Sequence, residues 1–455
     1  MLRIGLCLFI LLSAVTCGRA DDRPNVIVLF ADDLGYGDLG CYGSPTIRTP
    51  NLDRMAREGM RFTDFYSAAE VCTPSRAALL TGRLPIRNGM CGKRRVLFGD
   101  SKGGLPDKET TIAEVLKGRG YATMHIGKWH LGIHPGSQPL DQGFEHSYGL
   151  PYSNDMDARP NLPKGSSGSA DPPADGWNVA LMRDGEVIER PAVQSTLTKR
   201  YTEEAQRFIR EHKQQPYFLY LAHTFPHVPL FASDDFKGKS RAGIFGDAVE
   251  ELDWSVGQIL DTVRKEGAAE NTLVFFTSDN GPWLIMGDQG GSAGLLREGK
   301  GSTWEGGMRV PGIAWMPGRI QPQDNHDLVC SMDLFPTIAS MAGASVTDSS
   351  KLDGRDISSA LVSGKPLGDR PYFYYRGDQL YACRIGQWKA HFRTQAGYGQ
   401  AKPDEYAQPL LFDLGRDPSE KRDVSAAHPD VIAKIQSAVE EHRKSIEPVA
   451  SQLDE

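Results

Sequence analysis

Four apolar runs of the chain are each followed directly by a cluster of polar residues. The runs occupy residues 26–30, 121–126, 217–221 and 273–276. Because they are continuously apolar rather than alternating, they indicate strands buried on both faces, as in a parallel sheet. Helical patterns lie between them, at residues 111–119, 201–212 and 245–265. This alternation of strand and helix predicts an α/β main body, with the polar clusters at the ligand-binding edge of the sheet.

The polar clusters after the first and last runs are rich in oxygen ligands. Asp32 and Asp33 follow the first run, and Asp279 and Asn280 follow the last. Ca²⁺ and Mg²⁺ prefer such ligands, although Asp and Asn are also common in turns and at helix starts. Two such pairs at the strand ends of one sheet favour a divalent-metal site.

The pattern changes in the last quarter of the chain. Short strand-like pieces occur at residues 372–375, 380–384, 388–392 and 410–413, and a polar helical stretch runs from about 429 to 446. We therefore predict a small antiparallel sheet with a terminal helix. The expected division is a catalytic domain at residues 21–365 and a smaller C-terminal subdomain at residues 366–455.

The N-terminal residues have the pattern of an export signal. Arg3 supplies the positive charge, residues 4–15 are apolar, and the small-residue exit ends at Ala20. The apolar stretch is shorter than the roughly 20 residues of a spanning helix, and a lipid-modified Cys17 is the lesser alternative. We expect residues 1–20 to be a cleaved signal peptide and the mature protein to be periplasmic or secreted. A lysosomal destination is less expected, because the chain has no Asn-x-Ser/Thr sequon.

The net charge limits the class of partner, and the number of cysteines limits how many of them can be paired. The formal net charge of −7 argues against a nucleic-acid partner, so an anionic substrate would need local cations or a metal. Removal of residues 1–20 would leave Cys41, Cys72, Cys91, Cys330 and Cys383. An odd number of cysteines in an exported protein means that at least one is unpaired or modified.

One of these cysteines begins a predicted helix. Residues 72–83 read CTPSRAALLTGR. Cys72 or Thr73 is expected to cap the helix, Pro74 suits its first turn and Gly82 ends it. The backbone N–H groups at this position favour negative charge. Position alone leaves three roles open for the cysteine: helix cap, half of a disulfide, or thiolate nucleophile.

The same stretch resembles the signature of the type I, formylglycine-dependent sulfatases. In that family, Cys-x-Pro-x-Arg marks the cysteine for oxidation to an aldehyde. Further matching segments are Gly-Lys-Trp-His at residues 127–130, Pro-Tyr-Ser at 151–153 and Gly-Lys-Gly-Ser-Thr-Trp-Glu-Gly-Gly at 299–307. The resemblance covers nearly the whole mature chain and is closest to arylsulfatase A and N-acetylgalactosamine-6-sulfatase. It implies a sulfuric ester hydrolase with an alkaline-phosphatase-like fold, in which a large mixed, mostly parallel sheet lies between helices.

The resemblance also implies a metal site and a modified residue. One Ca²⁺, or alternatively Mg²⁺, would be bound by Asp32, Asp33, Asp279, Asn280 and the modified Cys72. Cys72 would become formylglycine, whose hydrate attacks the sulfur and afterwards expels sulfate. The implied substrate is a sulfated phenol, glycan or glycolipid. The implied partner is a formylglycine-generating or other sulfatase-maturing enzyme.

Basic and hydroxyl side chains complete the implied site. Those that would bind sulfate oxygens are Ser153, Lys128, His227 and Lys300. Arg76 and His130 would hold the hydrate, with His130 as the base of the elimination step. His227 or Lys300 would protonate the leaving oxygen. The implied catalytic residues are thus Cys72, Arg76, Lys128, His130, His227 and Lys300.

Two alternatives remain at this point. One is a phosphatase or phosphodiesterase of the same superfamily that uses unmodified Cys72, and the other is a non-catalytic exported glycan-binding protein. The physiological ester, the oligomeric state and the pairing of Cys41, Cys91, Cys330 and Cys383 stay open. Aromatic side chains that could line a substrate pocket, although aromatic residues more often belong to a core, are Tyr152, Trp177, Trp283 and Tyr375.

Overall fold

The computed structural model describes residues 23–346, 351–447 and 449–455. The predicted signal peptide, residues 1–20, lies outside the described residues. Within the described ranges, no helix combines the length and the apolar character that crossing a bilayer requires.

The described residues form sixteen β-strands, numbered in chain order. They are β1 (Asn25–Ala31), β2 (Met60–Phe62), β3 (Phe65–Tyr66), β4 (Ala122–Lys128), β5 (His146–Leu150), β6 (Leu181–Arg183), β7 (Glu186–Glu189), β8 (Tyr217–Ala222), β9 (Thr272–Ser278), β10 (Gly312–Trp315), β11 (Gln323–Asn325), β12 (Val329–Cys330), β13 (Pro371–Arg376), β14 (Gln379–Ile385), β15 (Trp388–Thr394) and β16 (Asp404–Asp413). All four predicted apolar runs are strands: β1, β4, β8 and β9.

Ten α-helices connect or cover these strands in the described ranges. They are α1 (Pro50–Glu58), α2 (Cys72–Thr81), α3 (Pro85–Asn88), α4 (Ile112–Lys117), α5 (Leu197–Glu211), α6 (Gly243–Lys265), α7 (Glu305–Met308), α8 (Leu334–Met341), α9 (Ser358–Ser363) and α10 (Pro429–Ser445). The predicted helices are all present. The start of α5 was placed four residues too late, because its buried stripe already begins at Leu197.

Ten strands form one mixed sheet in the order β11-β2-β10-β9-β1-β8-β4-β5-β6-β7. The five central strands, β9, β1, β8, β4 and β5, run parallel to one another. β10, β6 and β7 are antiparallel to their neighbours. The prediction of a mixed, mostly parallel sheet is therefore confirmed, and the carboxyl ends of β1, β4, β8 and β9 meet at one edge.

The continuous apolar character of β1 follows from its two buried faces. Ile27 and Leu29 pack into one core, which helices α5 and α6 cover with residues such as Tyr201 and Val256. Val26, Val28 and Phe30 pack into a second core on the opposite face. This second core includes side chains from α2, α4 and α8, namely Leu79, Leu80, Ile112, Leu116, Leu334 and Ile338. Each strand residue thus meets apolar side chains, whichever way it points.

The C-terminal residues form the predicted antiparallel sheet, with strand order β13-β14-β15-β16. Helix α10 packs on it through Ile432, Ile435 and Val439. Strand β16 begins at Asp404, six residues before the apolar segment that predicted it, because its first part is polar and mostly exposed. Residues 404–409 contain no apolar run, so the sequence pattern did not predict that they belong to the strand.

Candidate active site

The carboxyl ends of the central strands bring the predicted acidic residues together. Asp32 and Asp33 follow β1, and Asp279 follows the adjacent strand β9. The backbone N–H of Asp279 donates to Ala31 O at 3.1 Å, and the N–H of Asp33 donates to Asp279 Oδ1 at 3.1 Å. Parallel pairing of β1 with β9 therefore sets these carboxylates side by side.

A compact set of potential metal ligands lies at this edge. One ligand atom each from Asp32, Asp33, Cys72 and His227 lie within 4.8 Å of one another. Asn280 Nδ2 donates to Asp33 Oδ1 at 2.7 Å. Among the described residues, nothing donates a hydrogen bond to the buried oxygens Asp32 Oδ1 and Asn280 Oδ1. Buried oxygen atoms without donors fit a hard divalent cation.

Three buried cations surround the acids. Lys128 Nζ lies 2.5 Å from Asp32 Oδ2, Lys300 Nζ lies 2.8 Å from Asp33 Oδ2, and Arg76 Nη2 lies 2.8 Å from Asp279 Oδ2. The three carboxylates and these three cations balance in charge. A bound divalent cation would leave the pocket positive, which favours an anionic substrate.

Burial and neighbouring charges shift the pKa values of two of the acids in opposite directions. Burial raises the pKa of Asp32, but the charges of Lys128, His227 and Arg76 outweigh it and hold that pKa well below its usual range. Burial and the charge of Asp32 raise the pKa of Asp279 to about 7. Carboxylates held this close to one another cannot all ionise freely without added positive charge.

Cys72 is the first residue of α2 and lies inside this cluster. The cap position is Val71, in extended conformation and without a side-chain cap, so the predicted capping by Cys72 or Thr73 is wrong. Thr73 Oγ1 instead donates to His130 O and accepts from Leu97 N, both at 3.2 Å. Burial raises the pKa of the Cys72 thiol to about 11, which disfavours a thiolate. The five cysteines in the described residues are free, so none forms a disulfide.

Two histidines and a serine complete the pocket. His130 Nε2 donates to Leu97 O at 2.8 Å, and its buried Nδ1 has no partner among the described residues. His227 Nδ1 donates to Val228 O at 2.5 Å, and its Nε2 lies 3.6 Å from Asp33 Oδ2. Ser153 Oγ accepts from Lys128 Nζ at 3.1 Å.

Backbone strain accompanies this arrangement. Asp33 and His130 adopt left-handed conformations, with φ of 62° and 60°. Non-glycine residues rarely adopt this region, and such strain concentrates at functional sites. The two residues with positive φ follow β1 and β4, two strands whose ends supply residues to the pocket.

Comparison with known proteins identifies the architecture. The profile of the Sulfatase family matches residues 24–344, and that of the C-terminal region of aryl-sulfatase matches residues 368–455. The chain belongs to the sulfatase family. It shares the alkaline-phosphatase-like fold of its solved relatives and is a sulfuric ester hydrolase.

Relatives of this sulfatase agree over nearly the full length. N-acetylgalactosamine-6-sulfatase of Canis lupus familiaris is 42% identical, with 99% of this chain and 92% of the relative aligned. Human arylsulfatase A is also 42% identical, covering 98% and 91%. The structure of the PsFucS1 sulfatase from Pseudoalteromonas sp. superposes with a TM-score of 0.82 at 30% identity, covering 94% of this chain and 92% of the other.

All the site residues that the sequence analysis named fall in or around one pocket of this sulfatase. They are Asp32, Asp33, Cys72, Arg76, Lys128, His130, Ser153, His227, Asp279, Asn280 and Lys300, and each is buried. Of the four aromatic candidates, Trp283 contacts the pocket, with Lys300 Nζ 4.3 Å from its ring centroid. Tyr152, Trp177 and Tyr375 are buried and bond or pack elsewhere, against Asp157, Phe231 and His442.

Two further residues near the sulfatase pocket were missed by the sequence analysis. Asp155, whose Oδ1 is buried, lies two residues after Ser153, and the charge of Lys128 acts on it. Its position beside a matched segment was a usable signal. Tyr398, on the connection between β15 and β16, packs against Trp283 with ring centroids 5.7 Å apart. Only the tertiary fold brings it there, almost 100 residues after Lys300.

Proposed function

We propose that this sulfatase is exported and hydrolyses sulfate monoesters of glycans through a formylglycine made from Cys72 and a bound Ca²⁺, with Mg²⁺ as the alternative ion. The observation that carries the proposal is the position of Cys72, whose sulfur lies within 4.8 Å of ligand atoms of Asp32, Asp33 and His227. A modified side chain at this position would be held beside the metal. A sulfatase-maturing enzyme is the implied partner.

Glycans are favoured as substrates by the relatives. Several are named N-acetylgalactosamine-6-sulfatase, and Ps i-CgsB, 31% identical, has a structure in complex with a neocarrahexaose. Aryl sulfates and sulfated glycolipids remain accessible to the same chemistry. The expected signal peptide supports export, and the two family matches at residues 24–344 and 368–455 support the division into residues 21–365 and 366–455.

The metal would be held by oxygen ligands, of which Asp32 Oδ1 and Asn280 Oδ1 have no hydrogen-bond donor among the described residues. These ligands are Asp32, Asp33, Asp279 and Asn280, with the modified Cys72. When bound, the metal supplies positive charge that polarises the sulfate group. Arg76 donates to Lys128 O and Asp279 Oδ2, both at 2.8 Å, and so braces a sulfate-binding lysine and a metal ligand together.

Formylglycine supplies, as its hydrate, a nucleophilic hydroxyl and a second hydroxyl whose deprotonation drives the release of sulfate. His130 suits the base role, because Nε2 donates its hydrogen to Leu97 O and leaves Nδ1 as the acceptor. Lys128 and Ser153, 3.1 Å apart, offer donors for sulfate oxygens. Lys300 Nζ and His227 Nε2 both face Asp33. Lys300 can deliver a proton to the leaving oxygen directly, whereas His227 can do so only after Nε2 gains a proton, because the one hydrogen of its neutral ring lies on Nδ1 and is donated to Val228 O.

Hydrolysis of paired esters tests the proposal. The purified protein is assayed with 4-nitrophenyl sulfate and 4-nitrophenyl phosphate, before and after chelation and with Ca²⁺ or Mg²⁺ restored. We expect sulfate ester turnover that depends on the metal and greatly exceeds phosphate ester turnover. A preference for the phosphate ester would favour the phosphatase alternative. If the protein hydrolyses neither nitrophenyl ester and also fails to hydrolyse N-acetylgalactosamine 6-sulfate, the binding-protein alternative is favoured.

A further inference from the structure

Three neighbouring strands supply side chains that are expected to bind sulfate oxygens. The strand order is β8-β4-β5, so β4 lies between the other two strands. Lys128 is the last residue of β4, Ser153 lies in the connection after β5, and His227 lies in the connection after β8. The two connections leave strands that do not pair with each other. The separation of Ser153 and His227 therefore depends on how the connections contact each other beyond the end of β4.

Asn154 links these two connections through its side chain. Its Nδ2 donates to Pro229 O at 3.0 Å, and Pro229 lies two residues after His227. Within the described part of the chain, this is the one hydrogen bond that reaches residues 227–230 from another segment. Asn154 is the residue next to Ser153 and is fully withdrawn from solvent. One side chain thus ties the position of Ser153 to that of His227.

Gln194 holds the Asn154 amide in place. Asn154 Nδ2 also donates to Gln194 Oε1 at 2.9 Å, and Gln194 Nε2 donates back to Asn154 O at 3.2 Å. Both residues are buried, with 0% and 3% of their surface exposed. Because Gln194 Oε1 and Pro229 O can only accept hydrogen bonds, one orientation of the Asn154 amide satisfies both. The two residues therefore form a bridge of defined geometry between the connections.

The bridge leaves one polar atom of Asn154 unpaired. Its Oδ1 is buried, and nothing among the described residues donates a hydrogen bond to it. A buried acceptor without a donor destabilises a fold. By contrast, Asn25 at the opposite end of the same sheet uses both amide atoms, since Nδ2 donates to Thr272 Oγ1 at 3.1 Å and Oδ1 accepts from Tyr217 N at 3.3 Å. This difference indicates that Asn154 serves the pocket rather than the stability of the fold alone.

We propose that the bridge formed by Asn154 and Gln194 is a positioning element of the sulfate pocket. It sets the separation of Ser153 and His227, whose strands flank that of Lys128. The inference rests on the proposed function, because it takes these three side chains as the groups that bind sulfate oxygens. Hydrogen-bond donors stabilise an anion only when they point at its oxygens, so a change in their separation weakens the binding of sulfate.

Steady-state kinetics of the full chain test the positioning role. The substrate is 4-nitrophenyl sulfate, and inorganic sulfate is the competitive inhibitor whose Ki reports binding of the anion alone. The variants are Asn154→Ala, Asn154→Asp and Gln194→Ala. The matched control is Asn25→Ala, which also removes an amide bridge between strands, but at the far end of the sheet. Thermal unfolding is measured for every variant.

We expect Asn154→Ala to raise KM and Ki by about tenfold, in the same proportion and with a smaller change in kcat, because the groups that bind sulfate lose their spacing. Asn154→Asp keeps the size of the side chain but cannot donate to Pro229 O, so it should raise Ki at least as much. Gln194→Ala keeps the hydrogen bond to Pro229 and should raise Ki by about threefold. Asn25→Ala should lower the melting temperature and leave KM and Ki unchanged.

A double-variant cycle shows whether Asn154 acts through Ser153. Ser153→Ala alone should raise Ki for sulfate. When Asn154→Ala is added to it, Ki should rise by only about threefold more, because the positioned hydroxyl is already absent and only the effect on His227 remains. Full additivity of the two substitutions would contradict action through Ser153.

Two further results would overturn the positioning role. One is an unchanged Ki in Asn154→Ala and Gln194→Ala, whatever their melting temperatures, and the other is an equal rise of Ki in Asn25→Ala. If Asn154→Ala does not fold, Gln194→Ala decides by the same two constants. When the wild type hydrolyses the sulfate ester, these results reject the positioning role alone. If the wild type hydrolyses no sulfate ester, the proposed function fails together with it.

Discussion

Two buried clusters of charge both contact the segment of residues 300–305, and their polar atoms are satisfied in different ways. The catalytic cluster consists of Asp32, Asp33, Asp279, Arg76, Lys128 and Lys300. The junction cluster consists of Glu305, Glu420, Lys389 and His391, and joins the C-terminal sheet to α7. Side chains of both clusters are almost fully withdrawn from solvent.

In the junction cluster, every carboxylate oxygen has a partner within the protein. Lys389 Nζ lies 2.9 Å from Glu305 Oε1 and 3.0 Å from Glu420 Oε1, and donates to Thr303 O at 2.8 Å. Glu420 Oε2 accepts from Glu305 N at 2.7 Å, and Glu305 Oε2 accepts from Tyr66 at 2.5 Å. The protein alone therefore supplies partners for all the carboxylate oxygens of this cluster.

The catalytic cluster is left incomplete. Asp32 Oδ1 and Asn280 Oδ1 have no donors in the described part of the chain, and Asp33 is strained. The comparison indicates that the two clusters have different roles. The junction cluster holds the C-terminal sheet against the segment that carries Lys300, and the catalytic cluster keeps oxygen atoms available for a cation. Substitutions should therefore cost stability in one cluster and activity in the other.

The largest effect is expected for Cys72→Ala. Without the residue that becomes the nucleophile, kcat for a sulfate ester should fall by about ten-thousand-fold or more. The melting temperature should change little, because the residue has no hydrogen-bonding role in the junction cluster. Sulfate release and thermal unfolding measure the two effects. If Cys72→Ala lost stability rather than turnover, that result would contradict the assignment of activity to the catalytic cluster and of stability to the junction cluster.

The next largest effect is expected for Lys389→Met. It leaves Glu305 and Glu420 buried without their shared cation, which should lower the free energy of unfolding by about 3–5 kcal/mol. Urea denaturation measures the change. The control is Lys444→Met, because Lys444 pairs with Glu441 on the exposed face of α10 and should shift stability by less than about 0.5 kcal/mol. Equal effects in the two variants would contradict the role of the junction cluster.

Acid should also act on the junction cluster. Burial opposes ionisation of Glu305, but the charges of Lys389, Arg309 and Arg384 lower its pKa from 4.5 to about 2. Since the folded pKa lies below the unfolded one, its contribution is fully present above pH 4.5 and is lost as the pH falls through about 2. Thermal unfolding across this window should show a shallower acid loss in Glu305→Gln than in the wild type, once the lower starting stability is subtracted. Parallel curves would argue against this assignment.

The smallest effect is expected from metal binding to the intact fold. Ca²⁺ at 100 times its dissociation constant should raise the free energy of unfolding by about 2.7 kcal/mol. Asp33→Asn should abolish this response, and Lys389→Met should retain it despite its lower stability. Calorimetric melting with chelator and with added metal measures both. A metal response that survives in Asp33→Asn would place the cation elsewhere.

Much of the catalytic cluster could be predicted from the sequence, because the apolar runs that indicate the strands also locate the acidic residues at the strand ends. Asp32 and Asp279 each follow a strand that an apolar run predicted, and parallel pairing of the two strands then forces their approach. The cap of α2 was predicted wrongly, since Thr73 Oγ1 bonds Leu97 N and His130 O, partners that are distant in sequence. The junction cluster and Tyr398 could not be predicted either, because both depend on how a separate sheet docks on the catalytic part.

The central claim, that Cys72 acts as formylglycine, is tested most directly by peptide mass mapping coupled to activity. Preparations made with and without a coexpressed sulfatase-maturing enzyme are compared for the fraction of Cys72 present as aldehyde and for sulfate released per molecule. We predict that turnover rises in proportion to the aldehyde fraction and vanishes at zero. Full turnover by a preparation in which Cys72 is entirely a thiol would contradict the account.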